Sequence, residues 1–157
     1  MKLRRFKEMP VFDTHQARVV GRVDRAVLGD DFDLAYLVVE REDGSPGMIF
    51  APDIWLGDDA VSIADEGRIK SYACGEESSM YHKKVGDLVF DCNGSELGIV
   101  TDFILSPAKG AVTAVEISSG AIRDLLEGRR EVPLEHVDWK NPESAMVSPE
   151  GSEKFDH

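Results

Sequence analysis

The sequence predicts a mainly β protein made of two small β-barrels in tandem, with one short helix in the second barrel. Three observations predict this class: an ordered series of short segments occurs twice, those segments are rich in Val, Ile, Leu and Phe between turn residues, and helical spacing is rare. We expect a first unit at residues 1–69, a linker at 70–80, a second unit at 81–148 and a disordered tail at 149–157.

The repeat is visible as matching segments in matching order. Val11-Phe12-Asp13 corresponds to Val89-Phe90-Asp91, and Gly21 corresponds to Gly98 with a change of one residue in the offset. Each series ends in a short apolar element that contains proline. An ordered set of matches at a nearly constant offset indicates two related units. The closing elements are Ile49–Trp55 and Val132–Val137.

Glycines and turn residues explain where each predicted strand bends or ends. Gly21 and Gly98 lie inside strand patterns, where a missing side chain marks a bulge or the bend at which a small sheet curls. Asp91–Gly94 predicts a hairpin with an Asn-Gly type I′ turn. Ser106–Gly110 predicts a second turn, with Pro at its second position and Gly at its exit.

The predicted helix covers Gly120–Gly128 in the second unit. Ile122, Leu125 and Leu126 recur at i, i+3 and i+4, which forms one apolar stripe on a helix. Gly128 follows as a C-terminal cap. The corresponding place in the first unit holds only a turn, so the units are related without being equivalent.

Two strands are apolar on both alternating faces, namely Leu34–Val39 and Ile99–Leu105. A barrel strand that faces water should alternate with polar residues. We therefore expect the outer face to be covered. We prefer a cover from within the same chain, and a homodimer in which a second copy covers the face is the alternative.

Composition and charge narrow the function classes. The chain has 157 residues, 42% of them hydrophobic, with 18 Lys and Arg against 30 Asp and Glu, so the net charge of −12 argues against a general nucleic-acid binder. Charges interrupt every apolar run, which argues against a membrane span. The basic start of the chain lacks the apolar core of a secretion signal, and two cysteines make no disulfide framework. We expect a cytoplasmic protein.

The second unit resembles a PRC-barrel domain in the order of its motifs. The family includes the cytoplasmic domain of the photosynthetic reaction-centre H subunit and the C-terminal domain of a ribosome maturation factor. The resemblance covers residues 82–140 well and 5–63 less closely. The motifs are Val85–Gly94, Gly98–Asp102, Ser106–Gly110 with Val112, and Arg129–Val137.

The resemblance implies tandem PRC-type barrels that act by docking, so we expect a non-catalytic adaptor that recognises a protein partner. Its contact residues cannot be named from the sequence. An RNA-processing or ribosome-maturation accessory factor is the alternative, and a small-ligand or metal-binding barrel is a weaker one. The basic residues open to the first alternative are Lys2, Arg4, Arg5, Lys7, Arg123, Arg129 and Arg130, for which pairing within the chain is the commoner interpretation.

No catalytic, cofactor or metal site is predicted, and we expect no enzyme activity. The four histidines lack metal-ligand spacing, and a metal shared by Asp13 and His15 is a weaker interpretation than a polar turn. Neighbouring carboxylates make Cys92 and Cys74 poor nucleophiles. The histidines are His15, His82, His136 and His157; His136 is expected to be half-exposed and structural.

Other conspicuous residues have ordinary interpretations. Acidic pairs such as Asp30-Asp31 and Asp58-Asp59 lack a calcium-loop pattern and read as solvated turns. Trp55 and Trp139 lie near the closing elements, where we expect them to plug a barrel rather than form interface hot spots. Phe155 is alone in a polar tail, so a frayed terminus is favoured over a docking residue.

Overall fold

The computed structural model describes residues 1–72, 79–141 and 144–148. It divides into two compact units, and about half of the described residues are in β-strands. Unit 1 comprises Met1–Met80 and the turn Ser106–Ala111, and unit 2 comprises Tyr81–Leu105 and the chain from Val112 onward. No helix in the described part of the chain combines the length and apolar content needed to cross a membrane.

The strands of unit 1 are joined mostly by tight turns. Short 3₁₀ helices precede β1 and follow β4 and β6. The strands are β1 Pro10–Asp13, β2 Arg18–Leu28, β3 Leu34–Arg41, β4 Pro46–Phe50, β5 Trp55–Leu56, β6 Val61–Ile63 and β7 Lys70–Ser71.

The first three strands of unit 2 match the first three strands of unit 1 in length to within one residue, and two α-helices accompany the strands of unit 2. Helix α1 is Met80–Lys84 and helix α2 is Ala121–Glu127. The strands are β8 Leu88–Phe90, β9 Glu96–Ser106, β10 Ala111–Ser118, β11 Arg130–Pro133, β12 Val137–Asn141 and β13 Ser144–Val147.

The two sheets have the same strand order. One sheet runs β5-β6-β1-β2-β3-β4-β7, and the other runs β12-β13-β8-β9-β10-β11. In both sheets the first strand of the unit pairs in parallel with its last core strand, β1 with β6 and β8 with β13. Six positions therefore correspond one for one, which confirms the predicted class of two mainly β units in tandem. Strand β7 has no counterpart among the described residues of unit 2.

The pairing slips by one residue at the same place in both sheets. The extra residue lies on the long second strand, beside the glycine of the repeat. A slip of this kind is a β-bulge, which bends the strand and raises its twist. The paired residues are Val11 with Gly21 and Phe12 with Val19 in unit 1, and Val89 with Gly98 and Phe90 with Glu96 in unit 2.

Both glycines are required because the neighbouring strand approaches too closely for a side chain. A Cβ on Gly98 would lie 2.0 Å from the backbone oxygen of Ser118, and φ at Gly98 is +144°. A Cβ on Gly21 would lie 2.5 Å from the backbone oxygen of Glu40. The predicted role of these glycines, marking bulges in curled sheets, is confirmed.

The Asn-Gly hairpin differs from the predicted one. Asp91 N–H donates to the Ser95 carbonyl at 2.9 Å, Gly94 N–H donates to the Asp91 carbonyl at 3.1 Å, and φ is +82° at Gly94. A type I′ turn also needs a positive φ at Asn93, which that residue does not have. The type I′ prediction is therefore wrong, and a longer loop with a left-handed glycine joins β8 to β9.

The turn at Ser106–Gly110 forms as predicted. Gly110 N–H donates to the Ser106 carbonyl at 2.9 Å, and Gly110 has a φ of +64°. Helix α2 lies within the predicted segment, and Gly128 N–H donates to the Asp124 carbonyl at 2.8 Å with a φ of +76°. Both the helix and its glycine cap are confirmed.

Both ends of the predicted linker, residues 70–80, carry regular structure. Lys70 of β7 pairs with Met48 of β4, and Met80 begins helix α1. Helix α1 has five residues, which is too short for an apolar period to show in the sequence. Residues 73–78 of the linker and residues 149–157 of the tail lie outside the described residues.

Each unit has its own apolar core. In strand β3 three consecutive residues, Leu37, Val38 and Val39, are buried, so both faces of this strand are buried in one copy of the chain. The largest fully buried apolar side chains are Phe6, Val11, Val23, Leu28, Leu37, Val39, Ile49 and Ile63 in unit 1, and Phe103, Leu105 and Ile117 in unit 2.

Candidate docking surfaces

Unit 2 exposes a continuous apolar surface on three adjacent strands. Leu88, Ile99 and Met146 are 41%, 40% and 43% exposed, and Phe90 is half-buried between them. Leu88 pairs with Ile99, and Phe90 pairs with Met146. Paired residues in neighbouring strands point to the same side of a sheet. These four side chains therefore form one patch, called here the unit 2 face.

Local sequence explains why this face is apolar. Strand β8 reads Leu88-Val89-Phe90, so alternation sends Val89 into the core and leaves two large apolar side chains outside. In β13 Ala145 is buried and Met146 points outward. Burial of this apolar surface would recover about 25 cal/mol per Å². Contiguous exposed apolar patches of this kind mark interaction sites.

Carboxylates border the unit 2 face. Asp138 of β12 pairs with Met146, and Glu96 of β9 pairs with Phe90, so one row across the sheet has a carboxylate at each end and apolar side chains between. Beside this row lies a groove of about 430 Å³ whose lining includes Phe90, Asp91, Asp138 and Met146. The patch thus has an apolar centre and an acidic rim, as interfaces have apolar centres and polar rims.

Unit 1 exposes a row at the same place in its own sheet. Trp55 pairs with Ser62, Ser62 with Phe12, and Phe12 with Val19. Trp55 is 60% exposed, and Val19 is also exposed. Phe12, Val19 and Trp55 are called here the unit 1 row. The prediction that Trp55 plugs a barrel is wrong, because Trp55 lies on the two-residue edge strand β5 and points to the outer side.

Trp139 has a different environment from Trp55. Its half-buried ring lies 6.2 Å from the ring of the buried Phe103, and the Lys84 ammonium lies 5.6 Å from the centre of the Trp139 ring. Trp139 therefore packs against the core of unit 2.

The two faces correspond position by position while their side chains differ. Phe12 of unit 1 corresponds to Phe90 of unit 2 by the repeat and by its pairing. At the two ends of the row, unit 1 has Val19 and Trp55. Unit 2 has Glu96 and Asp138 at those ends. At equivalent backbone positions, unit 1 therefore has aromatic and aliphatic side chains at the ends of its row, whereas unit 2 has an apolar centre with a carboxylate at each end.

A second aromatic group lies on unit 1. Tyr36 contacts Phe50 edge-on with ring centres 6.3 Å apart, and Tyr72 lies 6.4 Å from Tyr36. Arg25 donates to the Tyr72 hydroxyl at 3.3 Å. Burial raises the pKa of Tyr36, and the Tyr72 hydroxyl raises it further, whereas Arg25 lowers it. Tyrosine and arginine together are typical of energetic centres in interfaces.

Helix α2 presents its apolar stripe to solvent. Ile122, Leu125 and Leu126, called here the α2 stripe, are 78%, 86% and 78% exposed. The opposite side of the helix is held by polar contacts: Asp124 accepts from the Ser118 hydroxyl at 2.5 Å and lies 3.4 Å from Nε of Arg129. The stripe predicted from the sequence exists, and it does not belong to the core.

The Asp13 and His15 pair forms a turn. Asp13 is buried, and its carboxylate accepts from the backbone N–H of His15 at 2.8 Å and of Gln16 at 2.9 Å. Burial alone would raise the pKa of Asp13, but these hydrogen bonds outweigh burial and hold the pKa below its usual value. Among the described residues, no group of three or more His, Cys, Asp or Glu side chains is placed to hold a metal ion.

His136 has a polar side chain beside each of its two ring nitrogens. Its half-buried ring has Nδ1 3.2 Å from Oγ of Ser148, while Nε2 is 3.6 Å from a carboxylate oxygen of Glu135. That second distance exceeds a hydrogen bond, and the Glu135 side chain is 81% exposed, so Glu135 does not fix the orientation of the ring.

The remaining predicted candidates are dispersed. Cys92 is exposed on the loop after β8, and His82 is exposed on helix α1. Arg129 pairs with Glu116 at 3.0 Å, and Arg130 pairs with Glu127 at 3.2 Å, so these two arginines pair within the chain as predicted. Cys74, Phe155 and His157 lie outside the described residues.

Comparison with known families agrees with this geometry. The PRC-barrel domain model matches residues 76–147, a range that includes strands β8 to β13 and both helices. The resemblance expected for the second unit is therefore confirmed. No curated protein matches the chain.

Proposed function

Because the PRC-barrel domain model matches residues 76–147, we propose that this chain is a non-catalytic docking protein that recognises a protein partner through the outer faces of its sheets. The observation that carries the proposal is the unit 2 face. Its four apolar side chains lie side by side on three strands, and three of them are exposed.

The physical argument is that this arrangement is unfavourable in water and favourable in an interface. Large apolar side chains that could be covered by a partner gain free energy in proportion to the area removed from water. The unit 1 row adds further exposed aromatic and aliphatic residues. A chain with several such surfaces and a surrounding of carboxylates suits a docking role, since interfaces combine apolar centres with polar rims.

The surroundings of the histidine and cysteine side chains support docking more than catalysis. His15 sits in a capped turn, His136 contacts Ser148 in unit 2, and Cys92 is exposed beside Asp91. A nucleophile needs a base and an orienting group within hydrogen-bond reach. The positions of these side chains do not provide that set.

The RNA or ribosome-maturation alternative has less support. Arg129 and Arg130 are paired with carboxylates, and the net charge is −12. Direct contact with phosphate needs a basic surface. Co-sedimentation with ribosomal particles that weakens as salt rises would favour this alternative over the proposal.

The test is affinity capture with cross-linking from native extract, with the wild type beside two variants. Ile99→Ser/Met146→Ser removes half of the unit 2 face, and Ile122→Ser/Leu125→Ser removes apolar side chains from α2 as the matched control. We expect a specific protein in the wild-type and control captures and its loss from the face variant. Equal capture by all three, or no specific protein together with substrate turnover by the purified chain, would overturn the proposal.

A further inference from the structure

We propose that the unit 2 face binds a cationic apolar segment, meaning an extended stretch of a partner protein in which lysine or arginine flanks an apolar side chain. The inference rests on the proposed function, because it names the chemistry of the partner at that face. It is carried by the row Asp138, Met146, Phe90 and Glu96.

The spacing of this row sets the spacing of the ligand. Neighbouring strands lie about 4.8 Å apart, so the three intervals from Asp138 to Glu96 span about 14 Å. An extended chain advances about 3.3 Å per residue, so side chains at i and i+4 on one side lie about 13 Å apart. Two cations four residues apart, with an apolar side chain midway, would therefore reach both carboxylates and cover Met146 and Phe90.

The carboxylates around the unit 2 face favour a positively charged ligand. Glu96 is exposed at the start of β9, and Asp91 follows Phe90 at the groove. The hydrogen bonds that Asn93 and Ser95 donate to Asp91 both use Oδ1. The net charge of −12 adds a long-range field that attracts cations and repels acidic segments.

Unit 1 provides an internal comparison. Its row has Val19 and Trp55 where unit 2 has the two carboxylates. Arg22 pairs with Pro10 at the place where Ile99 pairs with Leu88. A cationic segment should therefore prefer unit 2, although the backbone position is the same in both units.

Two synthetic peptides test the inference, each with Leu at position 3 and Thr at positions 2 and 4. One has Lys at positions 1 and 5, and the other has Glu there. Titration of the isotope-labelled chain at about 0.1 M salt follows amide signals and affinity. We expect the Lys peptide to shift the signals of β8, β13 and Glu96, and to bind at least tenfold more tightly than the Glu peptide.

Charge variants separate a specific site from attraction by net charge. Glu96→Lys/Asp138→Lys should weaken the Lys peptide at least tenfold, whereas Asp30→Lys/Asp31→Lys, with the same change in net charge, should weaken it less than threefold. If the double variant does not fold, the single Glu96→Lys variant is compared with Asp30→Lys, which is also at an exposed position and changes the net charge by the same amount. Equal weakening by both double variants, or shifts confined to unit 1, would overturn the inference.

The outcome also distinguishes this inference from the proposed function. If the face variant Ile99→Ser/Met146→Ser loses its captured partner while the two peptides bind equally, the docking function stands and the cationic ligand is wrong. If neither peptide binds the face and the capture is unaffected by that variant, both fail.

Discussion

The carboxylate of Glu116 lies 3.0 Å from Nη1 of Arg129, and Glu116 is 1% exposed. The Thr101 hydroxyl also donates to this carboxylate at 2.8 Å. Glu116 lies in β10 at the position that Val38 occupies in β3, because each follows the fully buried residue at the middle of its strand. Unit 2 therefore buries a carboxylate, paired with a half-exposed arginine, where unit 1 buries a valine, and the pair joins the segment after α2 to the sheet.

Arg129→Ala is expected to destabilise the chain by about 1–3 kcal/mol, since it leaves a buried carboxylate without its cation while water still reaches the half-exposed arginine site. The measurement is urea unfolding followed by circular dichroism. The matched control is Arg130→Ala, whose Glu127 partner is exposed, with an expected loss below about 1 kcal/mol. Equal losses in the two variants would contradict the structural role of Arg129.

Gly98→Ala is expected to cost about 2–4 kcal/mol, because the added Cβ meets the Ser118 carbonyl at a φ that alanine avoids. Gly94→Ala is the control: its φ of +82° is also unfavourable, but nothing lies within 4 Å of the added Cβ. Its expected cost is about 1 kcal/mol. Urea midpoints of the two variants decide the question, and a smaller loss at Gly98 than at Gly94 would refute the close approach.

Asp13→Asn should make the chain less sensitive to acid. The pKa of Asp13 lies below its ordinary value in the folded chain, so its carboxylate contributes stability above the ordinary pKa, and that contribution is lost as pH falls through the folded value. The stability gap between wild type and Asp13→Asn is therefore expected to be larger at pH 7 than at pH 3. Urea unfolding at both pH values measures the gap, with Asp30→Asn as an exposed control. A gap that widens in acid would show the opposite linkage.

Replacing the α2 stripe by glutamine at all three positions should change stability by less than about 1 kcal/mol, because the side chains are exposed and glutamine keeps the helix propensity. Val132→Ala, at a buried position of β11, is the comparison and is expected to cost about 1–3 kcal/mol. Thermal and urea unfolding would both register the difference. A large loss from the stripe variant would mean that α2 packs against the protein rather than facing solvent.

The repeat explains how much of the fold was predictable. Gly21 and Gly98 predicted the bulges because a glycine inside a strand pattern often marks a bulge or a close approach of another backbone. The type of the Asn-Gly turn was not predictable, since the same dipeptide permits both a two-residue turn and a longer loop. Helix α1 was missed because five residues show no period.

The candidate site was less predictable than the fold. Leu88-Val89-Phe90 is apolar at every position, and such a run does not tell which side is covered. Trp55 has a large aromatic side chain of the kind that often packs in a core, yet it lies on a two-residue edge strand and points outward. Exposure depends on what packs against a strand, and that is a tertiary property.

Two sheets of one strand order in a single chain create a risk of strand exchange during folding. If β10 entered the sheet of unit 1 in place of β3, its Glu116 carboxylate would be buried where Val38 belongs, without Arg129 beside it, at a cost of about 3–5 kcal/mol. The ion pair therefore favours the pairing of β10 within the sheet of unit 2 over its pairing within the sheet of unit 1. A Glu116→Val/Arg129→Leu variant should refold with a lower yield of native protein even if its native state is equally stable. An unchanged yield would contradict the idea that the ion pair disfavours strand exchange.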